Sequence, residues 1–442
     1  MNRSIEFLKA IDGVYRQDIP AEVMARARKS LLDYLAVTYA GAKFQHDKLQ
    51  KYFRFAQPEE GGFRAIGTDK DLVMAEAVFL NGLSGHALDF DDGTNSGIIH
   101  LGSPIFSLLI PLSIREGIDI DSMLRAAVIG YEASYTMAIT IQPGHKAMGY
   151  HATGTCGTIG ATLAASYMLG FSEEERFAAF AAACVAASGM LKVLDDGSEL
   201  KPYNVAKTAL LALSAIRMAK AGFKGHPDPL GGRGFFKMMT GKESMELQPV
   251  LQNGTYAIMK SYTKPYASCR YTHPAVEAAI RLRDRVKPED VRRIDIRTYR
   301  LAVSGHDHTE IPGSYSAKMS IPFATAVALM FGKAGLDEFT EEMVQDDGIL
   351  SLTAKVHVEA DESLSDVFPA IQAAIVTIQT DAAAYTERVD FPKGEPENPL
   401  TDAEFRARYD GLMHYAGVDP IVSDHMFSAV YRNARVSDLF CE

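Results

Sequence analysis

Apolar residues recur with a helical period along the first part of the chain. Between Pro20 and Tyr39, Val23, Met24, Leu31, Leu32, Leu35 and Ala36 fall on one face, and Pro20 stands where a first helical residue can lack its N–H. The same spacing predicts helices over 73–86, 104–116, 122–140, 155–169, 173–187 and 204–221. No convincing two-residue alternation interrupts them, so the first 260 residues read as all-helical. Two of these segments are rich in small residues: GTIGATLAASY after Cys156, and FAAFAAACVAASG after the capping-box stretch Ser172 to Glu175. Small faces let helix axes approach closely, which places both helices at the centre of the domain.

Beyond residue 290 the period changes to two, over 291–303, 354–360, 373–380 and 384–391. These segments predict strands of one mixed sheet, with helices between them at 274–286, 320–332 and 338–346. PKGEPENP then forms a connector, and Thr401 with Glu404 makes a capping box for a last helical stretch that could rejoin the first domain. The fold class is therefore mostly α with a smaller α+β domain. A helical domain is expected over 1–264 and 392–442, and an inserted lid domain with a mixed sheet over 265–391.

Composition narrows the function. The 442 residues carry 45 Lys+Arg against 56 Asp+Glu, and a net charge of -11 repels polyanions, so nucleic acid is not an expected partner. An acidic substrate would need a local cationic pocket. Cys156, Cys184, Cys269 and Cys441 form no C-x-x-C pair and read as reduced structural thiols rather than metal ligands. The N-terminus has no apolar block of a signal peptide, and the most apolar stretch, Pro104 to Ile114, is short and interrupted by Ser107 and Pro111. A cytoplasmic protein without membrane contact is expected.

The densest polar cluster is NGLSGHALDFDDGTNSGIIHLGS, residues 81–103, with His86, Asp89, Asp91, Asp92 and His100. Blandly read, the acids cap the following helix and His86 is a satisfied core histidine, but three carboxylates with two imidazoles in so short a span favour function. In GYHATGTCGTIG, His151 precedes Thr153, Gly154 and Thr155 at a helix start whose N–H groups and hydroxyls offer an anion site. The competing explanation there is close helix packing. Lys201 in ELKPYNVAK and Lys264 in YTKPYASCRYTHP, the latter followed by Arg270 and His273, each join a cation to a stiff Pro-Tyr pair. Surface lysines are the common case, yet these supply the cationic pocket that an acidic substrate demands.

In order along the chain, NGxxxHALDFDD, GYHATGTxGxxGA, the Lys-Pro motif and KPYxSCRYTHPA resemble blocks of the MmgE/PrpD family, which includes 2-methylcitrate dehydratase, cis-aconitate decarboxylase and iminodisuccinate epimerase. The resemblance spans nearly the whole chain. It implies a large helical domain built from both chain ends, a smaller α+β lid and commonly a homodimer. It also implies chemistry at a carbon next to a carboxylate without metal or organic cofactor. Asp89, His100, His151, Lys201 and Lys264 take the family's catalytic positions; Thr153, Gly154, Thr155, Arg270 and His273 fall to substrate binding. Gly93 stands where the decarboxylases have Thr, one extra residue precedes His100, His-Pro-Ser becomes His100-Leu101-Gly102-Ser103, Asn204 replaces a frequent His, and Phe323 replaces a Tyr.

The expectation is a cofactor-independent lyase or isomerase acting on a di- or tricarboxylate, with dehydration favoured over decarboxylation and epimerisation. The domain pattern predicts that Lys264 and Arg270 sit on a lid over a site made by Asp89, His100, His151 and Lys201. Two other classes stay open at this point: a metal-dependent hydrolase using the His/Asp cluster, and a carboxylate-binding protein without catalysis.

Overall fold

The structure, a computed structural model, describes residues 2–194 and 198–440, so Cys441 lies outside the described residues. The chain forms two compact units, one mostly helical and one a smaller α+β unit. The larger comprises the chain up to Val193, Leu200–Ser261 and everything from Asp402 on. The smaller comprises Tyr262–Thr401 with Leu194, Ser198 and Glu199. The stretch carrying Lys264 is tied to the connector: Thr263 N–H donates to Gly394 O at 2.9 Å. Gly394 holds φ at +91°, and a Cβ there would lie 1.9 Å from the Thr263 carbonyl, so only glycine permits the contact.

In the larger unit, the helices Ile120–Ile141 and Ala152–Met168 cross where glycines meet. A Cβ on Gly160 would stand 1.8 Å from Ser134 Oγ and 2.5 Å from Gly130 O. The Ala152–Met168 helix is buried along almost its full length, as its small residues predict. The other small-residue helix, Glu173–Ala186, opens on the expected Ser172/Glu175 capping box but is peripheral, with Val185 87% exposed. A short antiparallel pair, β1 (Glu60–Arg64) and β2 (Asp71–Leu72), corrects the all-helical expectation. Gly61 and Gly62 leave β1 without apolar alternation, and a Cβ on Gly61 would strike Leu72 O at 2.4 Å. Leu72 nonetheless packs with Ala42, Leu49, Ala65 and Leu80.

The smaller unit holds the mixed sheet in the order β4-β3-β5-β6, with β3 (Val291–Thr298) parallel to β4 (Val356–Ala360) and antiparallel to β5 (Ala374–Thr380), which pairs antiparallel with β6 (Ala384–Val389). Ile294 and Ile296 of β3 face the core with Val376 and Ile378 of β5. β3 ends earlier than predicted, since Arg300–Val303 turns helical. The segment expected as a helix over 338–346 divides into two short 3₁₀ turns, Leu336–Phe339 and Met343–Gln345. Among the described residues no helix is long and apolar enough to cross a membrane.

Candidate active site

The Met74–His86 helix ends into the DFDD loop, and Asp89 sits there at φ +51°. An aspartate tolerates this left-handed backbone better than most residues, and it turns the carboxylate out of the helical path. Lys201, at the start of the Lys201–Lys220 helix and followed by Pro202, places Nζ 2.7 Å from Asp89 Oδ1. His100 Nε2 lies 3.7 Å from the same oxygen. Two cationic-type side chains, one from the same loop and one more than a hundred positions on, meet on the Asp89 carboxylate.

Each neighbouring acid has a separate task. Asp92 receives the Gly102 N–H at 2.8 Å and the Tyr131 hydroxyl at 2.5 Å, capping the Gly102–Glu116 helix. A Cβ on Gly102 would sit 2.7 Å from that hydroxyl, which explains the glycine. Burial raises the Asp92 carboxyl's proton affinity, with its hydrogen bonds opposing. Asp91 is buried between His86 Nδ1 at 2.8 Å, His100 Nδ1 at 3.4 Å and the Ser103 hydroxyl at 2.7 Å. Burial works to raise Asp91, yet the two imidazoles hold it well below the usual carboxylate range.

His151 is the N-terminal boundary residue of the Ala152–Met168 helix, and its N–H donates to Gly189 O at 2.9 Å. Burial, followed by the positive charge of Lys201, pushes its imidazole well below the ordinary histidine range, and Nδ1 has no hydrogen-bond partner in the structure. His151 is therefore a neutral ring near neutral pH. The residues after it pack inward. Thr153 accepts the His100 N–H at 3.1 Å, Thr155 Oγ1 lies 2.9 Å from His145 Nε2, and a Cβ on Gly154 would lie 2.5 Å from Ser188 O. These three positions hold the site's frame together.

In the smaller unit Lys264 is buried, Arg270 forms a buried ion pair with Glu395, and His273 Nε2 lies 3.2 Å from Ser268 O. Cys269 Sγ lies 3.6 Å from His306 Nε2; Cys156 and Cys184 are buried, and burial pushes the Cys156 thiol up to about 12. All three are free thiols, as expected.

Profiles of the MmgE/PrpD N-terminal domain and of the MmgE/PrpD C-terminal domain match residues 6–248 and 266–419. The chain belongs to the MmgE/PrpD family. Among its relatives are proteins named cis-aconitate decarboxylase from Aspergillus terreus, 25% identical over 89% of this chain and 86% of that protein, and from Mus musculus, 23% identical over 91% and 85%. The Homo sapiens relative of the same name is 22% identical over 94% and 89%.

Two of the departures from the family pattern in this MmgE/PrpD chain, Asn204 and Phe323, serve packing and support. Asn204 is buried and its side-chain amide donates to Met190 O at 3.3 Å, supporting the strand-like stretch that His151 pairs with. Phe323 is fully buried against Phe339 with ring centroids 5.9 Å apart, so it serves the core of the smaller unit. Sequence reasoning missed the support behind the DFDD loop: Arg408, in the Asp402–Ala416 helix, donates to Phe90 O at 2.8 Å and forms a buried ion pair with Asp33. No local motif marks either residue, because the pair closes a span of 375 positions.

The acidic cluster also has metal-ligand chemistry, since His86, Asp89, Asp91 and His100 each offer an atom within 4.8 Å of the others. The Lys201 ammonium already lies on Asp89, and both imidazole Nδ1 atoms face oxygen acceptors, which leaves the Nε2 atoms of His86 and His100 as the ring nitrogens that could offer an ion a lone pair.

Proposed function

We propose that this chain is a lyase that moves a proton at a carbon next to a carboxylate on a di- or tricarboxylate, without metal or organic cofactor, and that dehydration is its reaction. The observation that carries this reading is the meeting of Lys201, Asp89 and His100 beside the neutral His151 in one buried cluster. A neutral imidazole can take a proton at neutral pH, and an ammonium offsets the charge that develops on an enediolate. Lys264 is proposed to hold a substrate carboxylate, on the strength of its motif. The relatives' name points to unsaturated tricarboxylates; dehydration is proposed over loss of carbon dioxide because Gly93, next to the DFDD block, departs from the decarboxylases' Thr. A homodimer is the proposed assembly.

The test is a panel of 3-hydroxy and unsaturated di- and tricarboxylates, followed by alkene absorbance and by carbon dioxide release. Alkene formation from a hydroxy acid without carbon dioxide supports the proposal. Carbon dioxide release from an unsaturated acid converts it to a decarboxylase, and binding without turnover converts it to a carboxylate-binding protein. The proximity of the four ligand-type residues makes chelation a second test. Prolonged chelation should leave both rate and melting temperature unchanged; loss of rate that one divalent ion restores would support the hydrolase reading.

A further inference from the structure

We infer that Asp91, held in place by His86 and Ser103, is a positioning residue that fixes the hydrogen of His100 on Nδ1 and leaves the Nε2 lone pair for the reaction; this rests on the reading of His100 as a proton carrier. His100 Nδ1 lies 2.9 Å from the Asp92 carbonyl, which can only accept, and 3.4 Å from Asp91 Oδ1. With two acceptors on that side, the hydrogen resides on Nδ1. Nε2 is then the basic nitrogen, and it faces Asp89 Oδ1 at 3.7 Å, the oxygen that also meets the Lys201 ammonium.

Asp91 can serve this way only if it stays ionised and does not swing away. Its Oδ1 takes the His86 Nδ1 hydrogen at 2.8 Å and its Oδ2 takes the Ser103 hydroxyl at 2.7 Å, with all three residues buried. His86 is itself kept neutral by burial and donates its Nδ1 hydrogen to Asp91. The two imidazoles touch edge to face with centroids 4.5 Å apart, which sets the plane of the His100 ring. The His100 N–H to Thr153 hydroxyl bond at 3.1 Å sets its backbone. The charged and titratable groups around His100 come from several elements: His86 from the preceding helix, Asp89, Asp91 and Asp92 from the loop, His151 from the start of the Ala152–Met168 helix, and Lys201 from the helix it opens.

Asp91→Asn keeps the shape and removes the charge, so it separates positioning from packing. Histidine-labelled protein, followed by ¹⁵N spectra against pH, reads the position of the hydrogen without any substrate. In the wild type the neutral His100 ring should carry its hydrogen on Nδ1; a ring with the hydrogen on Nε2 overturns the inference, and this measurement does not depend on any variant folding. In Asp91→Asn a larger share of the His100 ring should carry its hydrogen on Nε2 than in the wild type. The kcat should fall on the order of 10- to 100-fold while KM changes less than about threefold. An unchanged hydrogen position in a folded variant also overturns the inference. A wild-type enzyme that shows the expected spectra but turns over no polycarboxylate would instead remove the functional reading and leave the positioning intact.

Discussion

His151 shows how far one side chain's chemistry is set by its surroundings. Burial and the neighbouring Lys201 ammonium both disfavour its charged form, so the ring stays neutral. His151→Gln keeps a hydrogen-bonding shape but no titratable nitrogen, and kcat should fall by roughly 10²-fold or more with KM little changed. Near-native kcat in a folded variant would leave His151 as a binding or packing residue. Lys264→Ala should act the other way, raising KM while sparing kcat, because binding that is equal in ground and transition states leaves the chemical step alone; a fall in kcat at constant KM would give that lysine a chemical role. At this scale the sequence was readable where charge is costly to bury. Asp89, His100 and Lys201 stood out as polar groups among apolar ones, and they meet. The hydroxyls of Thr153 and Thr155 were less readable, because a helix start displays the same residues whether they await an anion or bond to the protein.

Helices were legible because their apolar period is long and continuous, and the Ala152–Met168 helix even revealed its central position through its small residues. The sharpest consequence is at Gly160. A methyl group there would stand 1.8 Å from Ser134 Oγ and 2.5 Å from a carbonyl on the Ile120–Ile141 helix, and the backbone oxygen cannot turn aside. Gly160→Ala should therefore destabilise the protein by about 1–3 kcal/mol, despite alanine's better helix propensity, as overpacking usually does. An unchanged or raised melting temperature would mean that the two helices can separate at little cost. The β1–β2 pair escaped notice for the complementary reason: its strands are short, and Gly61 and Gly62 erase the alternation that marks a strand. The Arg408–Asp33 support was equally invisible, since an arginine on an amphipathic helix reads as solvated until its distant partner is known.

For the molecule as a whole, buried neutral histidines tie stability to pH. Burial lowers the proton affinity of His86, His145 and His151, in the case of His145 to about 4 from the ordinary 6.5. Each such group binds a proton more readily when the chain is unfolded, so its contribution is fully present above 6.5 and is lost as pH falls through the folded value. For His145 a move from 6.5 to about 4 corresponds to roughly 3 kcal/mol, at about 1.4 kcal/mol per tenfold change in proton affinity. Asp33 acts in the opposite sense. Burial raises it to about 6 despite Arg408, so its contribution is present below 3.8 and is lost as pH rises through about 6, which offsets part of the histidine effect. Burial raises Asp92 and Glu132 in the same sense as Asp33, while Asp91, held down by its two imidazoles, joins the three rings in losing stability on acidification. Urea unfolding followed from pH 7.5 to 4.5 should show stability falling steadily below about 6.5, and His145→Asn should flatten the slope while lowering stability at pH 7.5. A wild-type stability that stays level to pH 4.5 would mean that these imidazoles are reached by water or paired in a way that lets them charge in place.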